Sequence, residues 1–257
     1  MAYYLVRWRR KLVDANLARA FPDLAEAERR AIGREHIRHV IDTSLESLKG
    51  GTIAPQELMN RVHIQNIEVL EDYYEQPFFL VGGHQGNWEW QLLALSNALV
   101  TPLEAVYAPI ANPALEANLI ENRSRFGMKL IPRADTMKEI AKRLKEPRAI
   151  VLLADQNPRR DVERHWLRFL NQDTAFAVGI DKLARLTRYP VIFLDCKRTR
   201  RGYYNVTLVP LATPPYPKER AVVLERYAQH LEESIMANPS DWLWSYDRWR
   251  YPKPLYG

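Results

Sequence analysis

The chain carries a single cysteine in 257 residues, so it can hold no intrachain disulfide framework and no cysteine metal site, and it suits a reducing compartment. That residue, Cys196, closes the apolar run Val191-Ile192-Phe193-Leu194-Asp195 and reads as a small buried hydrophobe. Long apolar runs are missing as well. Nothing approaches the ~18–20 residues needed to cross a bilayer, and no signal-peptide pattern of basic start, apolar core and cleavage site is found. The Gly-x-Ser-x-Gly elbow, the phosphate loop and the helical His-Glu-x-x-His are also absent, which argues against hydrolase-elbow, nucleotide and zinc chemistry. No cofactor or metal is expected. No repeat and no Ser/Gly-rich or charge-block linker divides the sequence, so one domain is expected over 1–257, with a helical segment over 1–50 that could face a membrane.

What is present is basic and aromatic. Lys and Arg number 37 against 31 Asp and Glu, a formal charge of +6, with 7 Trp, 13 Tyr and 7 Phe. This mixture suits an anionic partner, which could be an acidic carrier protein, nucleic acid, or a membrane surface where Trp and Tyr lie at headgroup depth. The start, Met1 to Lys11, is itself aromatic and basic and could lie in an interface. A nucleic-acid binder is the alternative from another class. Against it, the charges are spread through amphipathic helices and no nucleic-acid motif occurs.

Apolar periodicity predicts alternating strands and helices. Asp23 with Glu26 resembles a capping box, and Leu24, Ala27, Ala31, Ile32, Val40, Ile41, Leu45 and Leu48 continue at helical spacing, predicting an amphipathic helix up to Lys49-Gly50-Gly51. A short helix from Pro55, a β-type segment at 62–64 and a helix over 68–74 follow. Strands are predicted at 78–81, 103–107, 129–131, 149–154 and 191–196, with helices over 88–95, 113–126, 136–145, 177–186 and 218–236. Lys197 to Gly202 reads as the turn of a hairpin with 203–209. Near-continuous apolar strands alternating with helices imply an α/β domain with a mixed, mostly parallel sheet whose ligands gather beyond the strands' carboxyl ends.

One stretch carries chemistry: Pro77-Phe78-Phe79-Leu80-Val81-Gly82-Gly83-His84-Gln85-Gly86-Asn87-Trp88-Glu89. His84 falls on the turn between a buried strand and a helix, and Glu89 in that helix's first turn. A histidine ahead of the first turn can fold back over such a glutamate, giving an imidazole base and a carboxylate that orients it. Gly82, Gly83 and Gly86 allow close backbone approach to a ligand, and the helix start offers N–H donors to an oxyanion. Asp155 follows another apolar strand end, so one crevice could hold both His84 and Asp155.

These pieces occur together in a recognisable order. Arg9-Arg10-Lys11-Leu12-Val13, Asn16-Leu17, Ala20-Phe21-Pro22, His84 to Glu89, Glu121-Asn122-Arg123-Ser124-Arg125-Phe126-Gly127, Ala154-Asp155-Gln156, Phe169 to Ala175, Leu183-Ala184 and Trp242-Leu243-Trp244-Ser245 make the chain resemble the lipid A biosynthesis (lauroyl/myristoyl) acyltransferases over nearly its whole length. The resemblance implies a glycerolipid-acyltransferase-like fold and transfer of an acyl chain from an acyl-carrier-protein or CoA thioester to a hydroxyl of a lipid A precursor. It also implies action at the cytoplasmic face of the inner membrane. His84 and Glu89 become the catalytic dyad, while Arg123, Asp155, Gly86, Asn87 and Arg125 become candidates for substrate or oxyanion binding. The chain departs from the family at Tyr246 and Asp247, where His and Arg are usual, and in the loop 168–174, which lacks a Phe-Gly step. Family members usually begin with an apolar membrane helix, so attachment is expected from the basic start and surface patches or from a segment outside this sequence. Acceptors other than lipid A, such as a glycerophospholipid, a glycosylated phosphoinositide or an aminolipid, are the alternatives within the same chemistry.

Overall fold

The computed structural model describes residues 8–160, 162–217 and 221–251. Its frame is a seven-stranded sheet in the order β1-β9-β8-β2-β5-β3-β4. The strands are β1 (Val62–Ile64), β2 (Phe78–Gly82), β3 (Leu103–Tyr107), β4 (Lys129–Pro132), β5 (Ala149–Leu153), β8 (Val191–Arg200) and β9 (Tyr203–Ala212). From β8 to β4 all neighbours run parallel; β9 runs antiparallel to β8, and β1 follows β9. The expected α/β class with a mixed, mostly parallel sheet is what the structure shows.

The helices are α1 (Arg10–Ala20), α2 (Glu26–Gly50), α3 (Pro55–Arg61), α4 (Trp88–Ala98), α5 (Pro113–Ser124), α6 (Thr136–Lys142), α7 (Gly179–Thr187) and α8 (Val222–Ala237). Strand β2 is buried throughout because both faces of the sheet are covered. Phe79 and Val81 join the core that holds Tyr227 and Leu231 of α8, and Phe78 and Leu80 join the core that holds Leu92 and Leu95 of α4.

Several boundaries differ from expectation for local reasons. Helix α2 starts at Glu26, not near Asp23, because Glu28 reaches back to the Ala25 N–H at 2.8 Å. The segment expected as a helix over 68–74 is a 3₁₀ turn, Ile67–Tyr73. The expected start of the last helix at Lys218 lies outside the described residues, as does the start of the chain up to Arg7; the helix itself runs from Val222. The loop 168–174 is instead the end of a separate hairpin, β6 (Arg164–Phe169) with β7 (Gln172–Ala177). Its two turn residues, Leu170 and Asn171, both have positive φ (48° and 60°), as a two-residue turn matched to strand twist requires. Leu170 accepts that conformation while buried in the core.

The C-terminal half of α2 inverts the expected amphipathicity. It buries His36, His39, Asp42 and Thr43, while Ile41, Leu45 and Leu48 stand 39, 59 and 71 % exposed. The inward face is polar because it lies against a polar turn and not against the sheet. His39 Nε2–H donates to the Gly86 carbonyl at 2.9 Å, and Glu46 receives Asn87 Nδ2 and the Tyr204 hydroxyl, each at 2.7 Å.

At the amino-terminal end of the sheet, Glu104 of β3 is 3 % exposed and receives Arg143 at 2.6 and 3.0 Å, with Arg148 Nε 3.3 Å away and 1 % exposed. Replacing Glu104 by alanine strands a buried guanidinium, which costs about 3–5 kcal/mol. Urea unfolding of Glu104→Ala is expected to show that loss, with the activity of the folded fraction unchanged.

Candidate active site

Strands β2 and β5 are paired neighbours whose last residues, Gly82 and Leu153, lie opposite each other. His84 and Asp155 each follow two residues later, and adjacent strands are only about 4.8 Å apart, so their side chains meet beyond the sheet edge. His84 Nδ1 lies 2.7 Å from Asp155 Oδ1, and the His84 backbone N–H donates to Asp155 Oδ2 at 2.8 Å. Trp242 Nε1–H adds a third donor to Oδ2 at 2.9 Å. Asp155 is 2 % exposed, whereas the His84 side chain keeps 18 %. A carboxylate accepting at Nδ1 fixes the Nδ1–H tautomer and leaves Nε2 with its lone pair on the open side, where Gln156 Nε2 stands 3.4 Å away. The Trp88 ring meets the imidazole edge-on at a centroid distance of 5.2 Å.

Burial by itself lowers the His84 pKa, but the Asp155 charge and hydrogen bond outweigh it, and the net direction is upward. Burial likewise raises Asp155, and the His84 charge with its two hydrogen bonds and the Trp242 bond carry it below the usual value. The pair is therefore poised to hold an imidazolium against a carboxylate.

Glu89, expected to brace His84, faces elsewhere. Its oxygens receive Arg123 Nε at 2.9 Å and Nη2 at 2.6 Å, and Trp88 Nε1 at 3.1 Å. The partner of Nδ1 is Asp155, because the equal overshoot of two neighbouring strands brings it to the ring, whereas Glu89, in the first turn of α4, is engaged by Arg123. Glu89 still bears on the ring through its charge, which favours the imidazolium, while Arg123 opposes it. Asp155 is thus an acceptor beside the imidazole and offers no donor to an oxyanion.

The other expected site residues are mostly structural here. Asn87 caps α4, its Oδ1 accepting the Trp90 N–H at 2.9 Å. The Gly86 N–H is taken by the Asp241 carbonyl at 3.1 Å, and its φ of +57° leaves an added Cβ 2.7 Å from the Cys196 carbonyl oxygen and Sγ. Arg125 does not join the site: it donates to the backbone carbonyls of Gly50 and of Ile53, the latter at 3.1 Å. Cys196 is a sealed thiol, pushed up to about 12 by burial. Among the described residues, the N–H groups of Trp88 and Glu89 at the start of α4 donate to no backbone carbonyl.

The residues that sequence reasoning passed over lie in the C-terminal tail. Gln85 forms an isolated antiparallel bridge with Trp242, and the Leu243 N–H donates to the His84 carbonyl at 3.1 Å, so the tail is pinned against the histidine turn. Asn16 of α1 holds this tail through the Trp244 and Tyr246 carbonyls at 2.9 and 3.0 Å, and buried His36 accepts the Ser245 N–H at 3.2 Å. Burial lowers His36 to about 3, keeping it neutral as that acceptor. Asn157 is tied to Tyr246, Asp247 and Arg248, which fastens the Asp155 loop to the same tail. Trp242 is both a buried core side chain and a donor to Asp155.

Comparison with known proteins now bears on this geometry. Residues 1–251 match the family described as bacterial lipid A biosynthesis acyltransferase. The chain belongs to that family. It is 24% identical over 256 residues to the lipid A biosynthesis lauroyltransferase of Escherichia coli (strain K12), covering 97% of this chain and 82% of that protein. The protein is accordingly an acyltransferase, and the nucleic-acid alternative gives way to enzyme chemistry.

Because Gly86 sits in the left-handed region against Cys196, Gly86→Ala must strain the backbone and displace the β8 carbonyl. A loss of about 2 kcal/mol or more is expected, read as a lowered thermal midpoint.

Proposed function

We propose that the protein transfers a fatty acyl chain from a thioester, on acyl carrier protein or CoA, to a hydroxyl of a lipid A precursor, with His84 as general base and Asp155 as the group that orients it. The observation that carries this reading is the 2.7 Å contact between Nδ1 and a buried carboxylate, which leaves Nε2 open. In the forward step Nε2 takes the proton of the acceptor hydroxyl as its oxygen attacks the thioester carbonyl. The imidazolium so formed is stabilised by Asp155. The tetrahedral oxyanion would be met by the open N–H groups at the start of α4 and by the part of the Arg123 guanidinium that Glu89 does not hold. Collapse breaks the carbon–sulfur bond, the imidazolium returns its proton to the departing thiolate, and the ester remains. Glu89 acts here by holding Arg123, and with it α5, beside the histidine.

Family membership supports this choice of acceptor and of the place of action. A lipid acceptor puts the enzyme at a membrane surface, at the cytoplasmic face of the inner membrane in the lipid A pathway. No helix among the described residues is long and apolar enough to cross a bilayer.

The test is transfer by purified protein from acyl carrier protein to a Kdo-bearing lipid A precursor, with the product weighed by mass spectrometry. His84→Ala is expected to lose about 10²–10⁴ in rate with its fold intact by circular dichroism. Because the folded pKa of His84 is raised above ~6.5, the base is protonated below that value and the rate of the wild type must rise with pH through a point above it. Asp155→Asn removes the charge that raises the pKa while burial remains, so the limb shifts to lower pH and the plateau falls. Glu89→Gln loses a charge-assisted pair of about 1.5–3 kcal/mol, and so about ten-fold or more in kcat/KM, with a smaller displacement of the limb. Wild-type rates in folded His84→Ala would end the proposal, and an acyl chain added only to another lipid would replace the acceptor.

A further inference from the structure

The outward stripe of α2 is the wrong way round for a helix of a water-soluble surface. Ile41, Leu45 and Leu48 lie four and three residues apart, so they stand side by side on one face, and all three are exposed. Large apolar residues exposed singly are ordinary, but a contiguous row beside buried polar partners marks a surface that meets something apolar. Towards the helix N-terminus the same stripe continues with Arg34 and Arg38. There it borders a groove of about 640 Å³ whose opposite wall is the β8–β9 hairpin with Arg198, Arg200 and Arg201.

The charges of this groove do not cancel. Three carboxylates line it, and each is already engaged: Glu35 by Arg38 at 3.2 Å and Arg198 at 2.9 Å, Asp42 by Arg201 at 2.7 Å, and Asp241 by Arg198 at 3.3 Å. Arg34 and Arg200 form no ion pair among the described residues. The Arg200 guanidinium lies 3.7 Å from the centre of the Tyr203 ring, which Arg61 approaches at 5.3 Å from its own position, so the hairpin tip is a basic and aromatic cluster.

Both features stand at the edge of the sheet that carries His84. The last β8 residue paired with β2 is Leu194, opposite Gly82, and the strand continues six residues to Arg200, about 20 Å beyond that point. Helix α2 faces this extension across the groove, joined to the hairpin turn by the Arg201–Asp42 pair and to the histidine turn by His39 and Glu46. An apolar ridge continuous with unpaired arginines and an aromatic tip is the composition of a surface that sits at the headgroup boundary of an anionic bilayer.

We propose that the α2 ridge of Ile41, Leu45 and Leu48, together with the basic groove and the hairpin tip, is the face by which this protein lies on an anionic lipid surface, with the His84 edge turned towards that surface. The proposal deepens the acyltransferase reading by naming where the lipid phase is met, and it rests on that reading only for the choice of a bilayer as occupant.

Co-sedimentation with vesicles tests it, using phosphatidylcholine alone and an equal mixture of phosphatidylcholine and phosphatidylglycerol. Wild-type protein is expected to bind the mixed vesicles in preference, and His84→Ala to bind them equally well, which separates this surface from catalysis. The triple variant Ile41→Ser, Leu45→Ser, Leu48→Ser is expected to lose at least about ten-fold in partitioning. Arg34→Gln and Arg200→Gln are expected to lose about five-fold each at low salt. All of these surface variants should keep the wild-type rate on acceptor dispersed in detergent. Unchanged vesicle binding by the triple variant would overturn the proposal, as would equal binding of the wild type to both vesicle types. So would a solution dimer that the triple variant breaks apart, or loss of acyl-carrier-protein binding in that variant with vesicle binding intact.

Discussion

One buried carboxylate organises this end of the molecule. Asp155 accepts from the ring and the backbone of His84 and from the indole of Trp242, so a single side chain joins the ends of β2 and β5 to the C-terminal tail. A carboxylate at 2 % exposure is tolerable only if its oxygens are well supplied with donors, and three are in place. The same bonds that make its burial tolerable leave the imidazole with one tautomer and one open nitrogen. Stability and chemistry therefore depend on one set of contacts.

Around that centre the supports are redundant. The histidine turn is held from the β8 side by the close fit of Gly86 on Cys196, from α2 by His39, and from the tail by the Asp241 and Leu243 backbone. Two buried histidines of this framework, His39 on the turn and His36 on the tail, are held below the usual histidine value by burial, and neither competes with His84 as a base near neutral pH. Glu89 and Arg123 form a separate pair that ties α5 to α4 beside the ring. The site is thus a braced base with an adjoining arginine, and its framework comes largely from side chains that bond to the backbone of the turn and the tail.

Much of this was legible in the residues. The unbroken apolar runs at 78–81 and 149–154 announced strands covered on both faces, and the placing of His84 and Asp155 just past their ends suggested a shared crevice. Which carboxylate meets the ring was not legible, because Glu89 lies near in sequence while Asp155 is brought near only by strand pairing. The hairpin of 164–177 was missed because its turn uses Leu170 at positive φ, without the glycine that usually signals it. Helix α2 shows the limit of periodicity most clearly. Its apolar spacing is real, but spacing does not say which face meets the protein, and the partners of its polar side, Gly86, Asn87 and Tyr204, lie far away in the chain.

Base catalysis at this site depends on the state of one imidazole. Observing the His84 ring nitrogens by NMR in ¹⁵N-histidine-labelled protein, across a pH titration and with assignment by comparison to His84→Ala, reads that state directly. The structure predicts a neutral form protonated at Nδ1 with Nε2 bare, titrating above the ~6.5 of an unperturbed histidine. A ring protonated at Nε2, or one that titrates below that value, would contradict it.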